Sequence, residues 1–380
     1  MNQKGESIMN TRVPAQIFPP GEFLRAELES RGWSQVELAE ILARPPRLIS
    51  EIVSGKRAIT PETAKGLAAA LGSSAEMWMN LESTYQLSKT RVETSVVERR
   101  AKLYGRFPVK ELIRRGWVPR ASDLQSLEAN VCKFFGVQSS DESPVFRHAA
   151  KKRHYDDVPQ TLQLAWLNRA EQVAKNIEAR PYSSTALKEA IKELQACLQD
   201  VEGVKKASSI LSKAGVRFVV VEYLPRAKLD GACFWLDKGK SPVIALSLRL
   251  DRVDNFWHTL FHEIDHVVHS EGKQTPIIDI VETEHAPDAT LPKEEMRANT
   301  AAAKYCIPED ELHEWVSQTP RVSSRGNILA FAERVGVHPG LVVGQLQHRG
   351  LIPYSFHREL LERVRSLVIS ATPTDGFGEK

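Results

Sequence analysis

The stretch Asn255-Phe256-Trp257-His258-Thr259-Leu260-Phe261-His262-Glu263-Ile264-Asp265-His266-Val267-Val268 constrains this chain more than any other. Placed on a helix at about 100° per residue, it sorts into two faces. Trp257, Leu260, Phe261, Ile264, Val267 and Val268 recur at helical spacing and make a core stripe. His262 and His266 stand one turn apart on the other side, with Glu263 beside them. Two imidazoles so spaced can grip one face of a zinc ion, while the carboxylate between them reaches a water held there. The competing reading is a solvated histidine face, because His258 and His269 lie on the same side. Zinc needs a further ligand, and Glu294-Glu295-Met296-Arg297-Ala298-Asn299 opens a second helical segment with Glu295 and Asn299 one turn apart. Zinc binding is therefore expected at His262 and His266 with a downstream Glu as the candidate third ligand, and Glu263 beside the metal-bound water.

A chain of 380 residues exceeds one typical domain and points to two or three. With 42% hydrophobic and 26% charged residues it has the composition of an ordinary globular protein, and no apolar run is long enough to span a membrane. Met1-Asn2-Gln3-Lys4-Gly5-Glu6-Ser7 lacks the pattern of a secretory signal, so a cytoplasmic location is expected. Cys132, Cys197, Cys233 and Cys306 are scattered without a C-x-x-C pair, which argues for reduced, buried thiols. A net charge of +3 is too small to mark a nucleic-acid binder, so any such reading must rest on local charge.

Local charge is found near the N-terminus. Ser34-Gln35-Val36-Glu37 fits a capping box, and Trp33 and Leu38 are placed for a hydrophobic staple. A helix is expected from Gln35, burying Leu38, Ala39 and Leu42. Pro45-Pro46 breaks the chain and seeds a second helix with Ile49, Ile52 and Val53 inside and Gly55 at its end. Arg44, Arg47, Leu48, Ser50 and Glu51 then face outward, followed by Lys56 and Arg57 where a phosphate contact is useful. Two short helices across a tight connection have the form of a helix-turn-helix; a small dimerising bundle is the alternative. Thr60-Pro61-Glu62 caps a further helix over Ala64, Leu67, Ala68 and Leu71, closed by Gly72.

Gly21-Glu22-Phe23-Leu24, Ser34-Gln35-x-Glu37-Leu38-Ala39, the run from Ile49 to Ala64 and Trp78-Met79-Asn80-Leu81 resemble the HigA branch of the Xre-type (Cro/repressor-like) helix-turn-helix family. That resemblance implies dimeric, sequence-specific binding of a double-stranded operator, with base contacts from Arg47, Leu48, Ser50 and Glu51. Pro45-Pro46 departs from the polar residues usual there.

Residues 91–200 read as charged helices with no catalytic constellation, a scaffold and candidate dimer surface, with a polar loop at 138–143. Three strands are expected at 215–224, 232–236 and 243–248 as a small antiparallel sheet ahead of the histidine helix, offering an edge to an extended peptide. Residues 330–340 look like another helix, turn and helix, either a second DNA contact or a support for the preceding module.

Ala245-Leu246-Ser247-Leu248-Arg249, the run from Phe256 to His266 and Ala298-Asn299-x-Ala301-Ala302, ending at Ile307-Pro308, resemble the ImmA/IrrE zinc metallopeptidases. The resemblance implies a minimal gluzincin-like fold with zinc on His262, His266 and a helix-borne Glu, here Glu295. Many relatives carry an acid just before the Ala-Asn, where this chain has Arg297, so Glu294 stays an alternative ligand. Tyr305 is a candidate oxyanion donor.

The expected fold is α+β and mostly α: a flexible start at 1–18, a helix-turn-helix domain at 19–90 and a helical scaffold at 91–200. A peptidase-like domain at 201–310, C-terminal helices at 311–369 and a disordered tail at 370–380 follow. The expected function is a DNA-binding regulator, dimeric, whose zinc endopeptidase-like domain cleaves a partner regulator or itself. A non-catalytic zinc or ligand sensor, or an antitoxin binding a toxin partner, are the alternatives.

Overall fold

The computed structural model describes residues 17–90, 94–144, 161–280 and 292–377. The expected flexible start thus lies almost wholly outside the described residues. The chain divides into two compact units, 1–97 and 98–380.

Among the described residues the first unit holds five complete helices: α1 Pro20–Arg31, α2 Gln35–Ile41, α3 Pro46–Val53, α4 Pro61–Leu71 and α5 Ala75–Lys89. Its boundaries follow the local chemistry. Ser34 accepts from the Glu37 amide while Glu37 reaches back to the Ser34 amide, so the capping box is complete. Pro46 occupies the first turn of α3, where a missing N–H costs nothing. Thr60 and Ser74 cap α4 and α5 by accepting from Thr63 and Met77. Leu24, Leu38, Ile49, Ile52, Leu67 and Trp78 fill a core of this unit's own. Gly21 allows α1 to lie directly on the end of α3; a Cβ there would stand 2.2 Å from the Ile52 carbonyl oxygen.

The second unit is built on a four-stranded sheet. α6 Thr94–Arg106, in which the unit boundary falls, is followed by α7 Val109–Arg114, α8 Leu124–Phe135, α9 Thr161–Lys175, α10 Ser184–Gln195 and α11 Ala207–Lys213. Then come β1 Arg217–Val220, β2 Leu229–Leu236, β3 Ser241–Leu246, α12 Val253–Val268, β4 Ile277–Ile280 and α13 Lys293–Cys306. The described helices end with α14 Glu309–Gln318, α15 Arg325–Val335, α16 Pro339–His348 and α17 Arg365–Ile369.

The α+β, mostly helical class is as expected, but the sheet is mixed rather than antiparallel. β2 and β3 form the expected hairpin; β1 runs parallel to β3, and β4 adds antiparallel to β2, giving the order β1-β3-β2-β4. The stretch between β1 and β2 is too long for a hairpin, which frees β1 to join the far side of β3. Both faces are covered, and the alternation of side chains along each strand serves two cores. Phe218, Val220, Cys233, Trp235, Ile244 and Leu246 pack with α12. Val219, Ala232, Phe234, Leu236, Val243 and Ala245 pack with Trp166, Leu167, Phe134 and Phe135 of the helices before the sheet. The helices read as scaffold therefore close the second face.

Two details correct the sequence reading. Residues 370–377 are no disordered tail: Val220 donates to the Pro373 carbonyl at 3.0 Å, and Asp375 accepts from the Trp117 indole at 3.1 Å and the Glu222 amide at 3.2 Å. A short polar segment is ordered here by the edge of β1, which supplies backbone partners. The helix pair at 330–340 exists as α15 and α16, but Leu341, Val342, Val343, Leu346 and Gln347 of α16 are buried. α16 packs on α12, so closely that a Cβ on Gly344 would strike Asp254. A helix so covered cannot enter a DNA groove, which leaves the supporting role.

Candidate metal centre and nucleic-acid interface

α12 lies on the sheet because its apolar stripe must be buried, and that packing buries its other face too. Trp257, Leu260, Phe261, Ile264 and Val267 are wholly enclosed, and so are His262, Glu263 and His266. A solvated position is thereby excluded for His262 and His266, while His269 stays exposed. The His262 and His266 Nε2 atoms approach to 3.1 Å, and Glu295 on α13 brings a carboxylate oxygen to 3.1 Å from the first and 3.7 Å from the second. His262, His266 and Glu295 form a cluster with the spacing of a metal site, and Glu294 is not in it.

The outer ring nitrogens fix the orientation. His262 Nδ1 donates to Asn299 Oδ1 at 2.9 Å, and His266 Nδ1 donates to Glu271 at 2.7 Å. With both Nδ1 protons so used, both Nε2 lone pairs point into the same small space, an arrangement that repels itself unless a cation lies between. The residues present therefore fit a divalent metal with nitrogen and oxygen preference, such as zinc. Without metal a proton takes that part. Burial opposes charge on His262, but its hydrogen bond to Glu295 and the carboxylates of Asp279 and Glu263 outweigh it and raise its pKa to about 10. Glu295, although burial favours its neutral form, is held down to about 2 by the same two histidines.

Glu263 is fully buried, and among the described residues neither carboxylate oxygen has a hydrogen-bond partner. Burial drives its pKa to about 8, against the pull of His262 and His266. It lies directly over Gly231 of β2, where a Cβ would come within 2.5 Å of Oε1. Arg297, which stands where an acid was expected, clamps Asp265 at 2.8 Å and Glu271 at 2.8 Å, so it steadies the partner of His266. Tyr305 packs its ring 5.4 Å from that of Phe261, against the core.

In the first unit, α3 presents Arg47 and Ser50 to solvent, with Arg44, Lys56 and Arg57 exposed beside it. Glu51 accepts from Arg47 at 2.7 Å and pairs with Arg57 at 3.0 Å, so it positions two arginines rather than standing ready for a base. Arg44 pairs with Glu62. Leu48 is half-buried against the core. The seven residues thus gather on one surface around α3, most of them exposed.

A helix-turn-helix family match spans residues 24–78. The uncharacterized HTH-type transcriptional regulator YddM of Escherichia coli K12 is 32% identical over 77 residues, 20% of this chain and 82% of that protein. The chain belongs to the helix-turn-helix regulators. A second match, to the IrrE N-terminal-like domain of the M78 peptidase family, spans residues 214–346 and so contains all four site residues. Virulence-associated protein I of Dichelobacter nodosus is 42% identical over 69 residues, 18% of this chain and 64% of that relative, just under two thirds of its length. The structure of Pseudomonas aeruginosa antitoxin HigA with the higBA promoter is 35% identical, covering 20% of this chain and 82% of that one, at a TM-score of 0.19. The protein is thus a DNA-binding regulator with an ImmA/IrrE-like domain. No helix among the described residues is long and apolar enough to cross a membrane.

Three site residues of this regulator were missed in its sequence. Glu271 follows His266 by five residues, off the helical period, in the turn after α12. Gly231 carries no chemistry of its own. Asp279 faces Gly231 in the β2–β4 register and forms a second acid-histidine cluster with His262 and Glu263. An aspartate inside the apolar run Ile277-Ile278-Asp279-Ile280 was the available signal for it.

Proposed function

We propose that this regulator binds an operator as a dimer through α3 and that its second unit is a zinc endopeptidase acting on a partner regulator or on the chain itself. The observation that carries the peptidase reading is Glu263: a buried carboxylate without a hydrogen-bond partner among the described residues, beside two imidazoles and a glutamate that converge on one point. A purely structural metal site needs no such group, and an unpaired carboxylate is costly to bury.

His262, His266 and Glu295 would hold the zinc. When bound, zinc supplies a Lewis acid for the scissile carbonyl and lowers the pKa of water. Glu263 would take a proton from the attacking water and return it to the leaving amine. Asn299 and Glu271 hold the imidazoles in the tautomer that leaves Nε2 open. Among the described residues no strand pairs with the outer edge of β4, which an extended substrate could use.

The deciding experiment compares wild type, Glu263→Gln, His262→Ala and Glu295→Ala by elemental analysis, intact mass of the protein and its captured partners, and reporter repression. Glu263→Gln should keep one zinc per chain and lose all cleavage, whereas the two ligand variants lose zinc. Equal repression and no fragment with wild type or Glu263→Gln would overturn the peptidase reading in favour of a metal or ligand sensor. On the DNA side, Arg47→Ala should relax base preference, and Lys56→Ala should weaken binding to every sequence and lower the salt slope by about one. Mobility shifts at several salt concentrations that show no change for either variant would remove the assignment to α3.

A further inference from the structure

A cavity of about 460 Å³ opens between the loop before α12 and the loop before α17, lined by Leu250, Asp251, Arg252, Arg358, Leu361 and Arg363. Three arginines and one carboxylate are thus among its lining. The carboxylate is committed: Asp251 accepts from the Val364 amide at 3.0 Å and the Arg365 amide at 2.7 Å. Arg252 is held by Asp254 and Gln347. Arg358 and Arg363 make no ion pair among the described residues. The acids next to them in sequence point elsewhere, Glu359 toward Arg325 and His357, Glu362 toward His338 at 3.1 Å.

The walls are braced. The Val253 amide donates to the Glu362 carbonyl at 2.9 Å, and Leu360 and Leu361 are buried beneath the second loop. Arg252 is also the residue that precedes α12, so the cavity borders the N-terminal, electropositive end of the sixteen-residue helix that carries His262 and His266. Guanidinium groups pair with phosphate oxygens through two parallel N–H donors, and a volume of this size suits a small organic ligand.

We propose that this cavity binds a small phosphate-bearing ligand, with Arg358 and Arg363 as its principal contacts and Arg252 reporting occupancy to the start of α12. Nothing in this inference uses zinc or proteolysis, so it stands or fails apart from the peptidase reading.

Calorimetric titration of the full chain with pyrophosphate and, separately, with AMP, at constant ionic strength, tests it. Saturable binding of either probe at one site per chain is expected, weakened at least ten-fold in Arg358→Ala/Arg363→Ala and unchanged in Lys56→Ala/Arg57→Ala. Both cavity arginines are exposed, and circular dichroism checks that the double variant is folded. Three results overturn the proposal: no saturable binding of either probe, equal binding by the cavity variant, or loss of binding in the Lys56/Arg57 variant instead. A parallel titration with duplex DNA covers the macromolecular source of phosphate. Loss of DNA affinity in the cavity variant without binding of pyrophosphate or AMP would also overturn it, placing these arginines on nucleic acid.

Discussion

Gly231 and Glu263 are joined by a steric fact: the carboxylate occupies the space where any other residue of β2 would carry its Cβ, and Thr259 closes the same space at 3.0 Å. Gly231→Ala should therefore push Glu263 out of line and overpack the interior, costing about 1–3 kcal/mol in a urea unfolding curve. Zinc content is expected to hold while cleavage falls; a variant with unchanged stability and unchanged cleavage would show that the contact is soft. The histidines give a second prediction at this scale. In the metal-free chain His262 titrates at about 10, raised above its unfolded value of about 6.5, so its protonated form adds stability fully below pH ~6.5 and loses it as pH rises through 10. Zinc competes with that proton. Its affinity should climb steadily from pH 6.5 toward 10, and uptake at pH 7 should release protons, read as a dependence of titration heat on the buffer's ionisation enthalpy. An affinity flat over this range would contradict the His262–Glu295 pairing.

Among elements, α2 and α3 were the most legible because their boundaries are set by local groups. A serine that accepts, a glutamate three residues on and a proline at the first turn act within one turn of chain. Ser34→Ala removes one half of the capping box and is expected to cost about 1 kcal/mol, lowering the melting temperature of a unit this small by ~4–8 °C. An unchanged melting temperature would mean that α2 is held by its packing alone. Gly21→Ala tests the contact between α1 and α3, which no local signal revealed. Its Cβ meets backbone rather than a flexible side chain, so the helices must separate, and the loss should exceed that of Ser34→Ala in the same denaturation assay. α12 was legible as an amphipathic helix, yet His262 and His266 on its other face are as buried as its apolar stripe. Periodicity marks which residues share a face; it carries no information on what a neighbouring helix such as α13 places over the polar side.

At the scale of the molecule, the two units have separate cores with no residue in common. A metal that binds only the folded second unit stabilises that unit by mass action, about 2.7 kcal/mol at a hundredfold excess over Kd. Chelation should therefore lower the unfolding temperature of the second unit and leave that of the first unchanged, as monitored by calorimetry with and without EDTA; a shift in both would reveal coupling between them. The sequence alone determined the chemistry that is local in the chain: His262, Glu263 and His266 within five residues, the capping box, the prolines and the basic residues around α3. It also offered Glu295, four positions before Asn299 on one helix, with Glu294 left as the alternative. Only the tertiary structure decided what depends on distant segments meeting. The parallel β1–β3 pairing, Gly231 beneath Glu263, Asp279 at the site, Arg297 steadying Glu271 and Asp375 docked against Trp117 all join residues far apart in sequence. The physical reason is the range of the forces involved. Capping and helical amphipathicity act over one or two turns and leave a pattern in the chain, whereas packing of sheet against helix selects partners by shape and burial, which leave none.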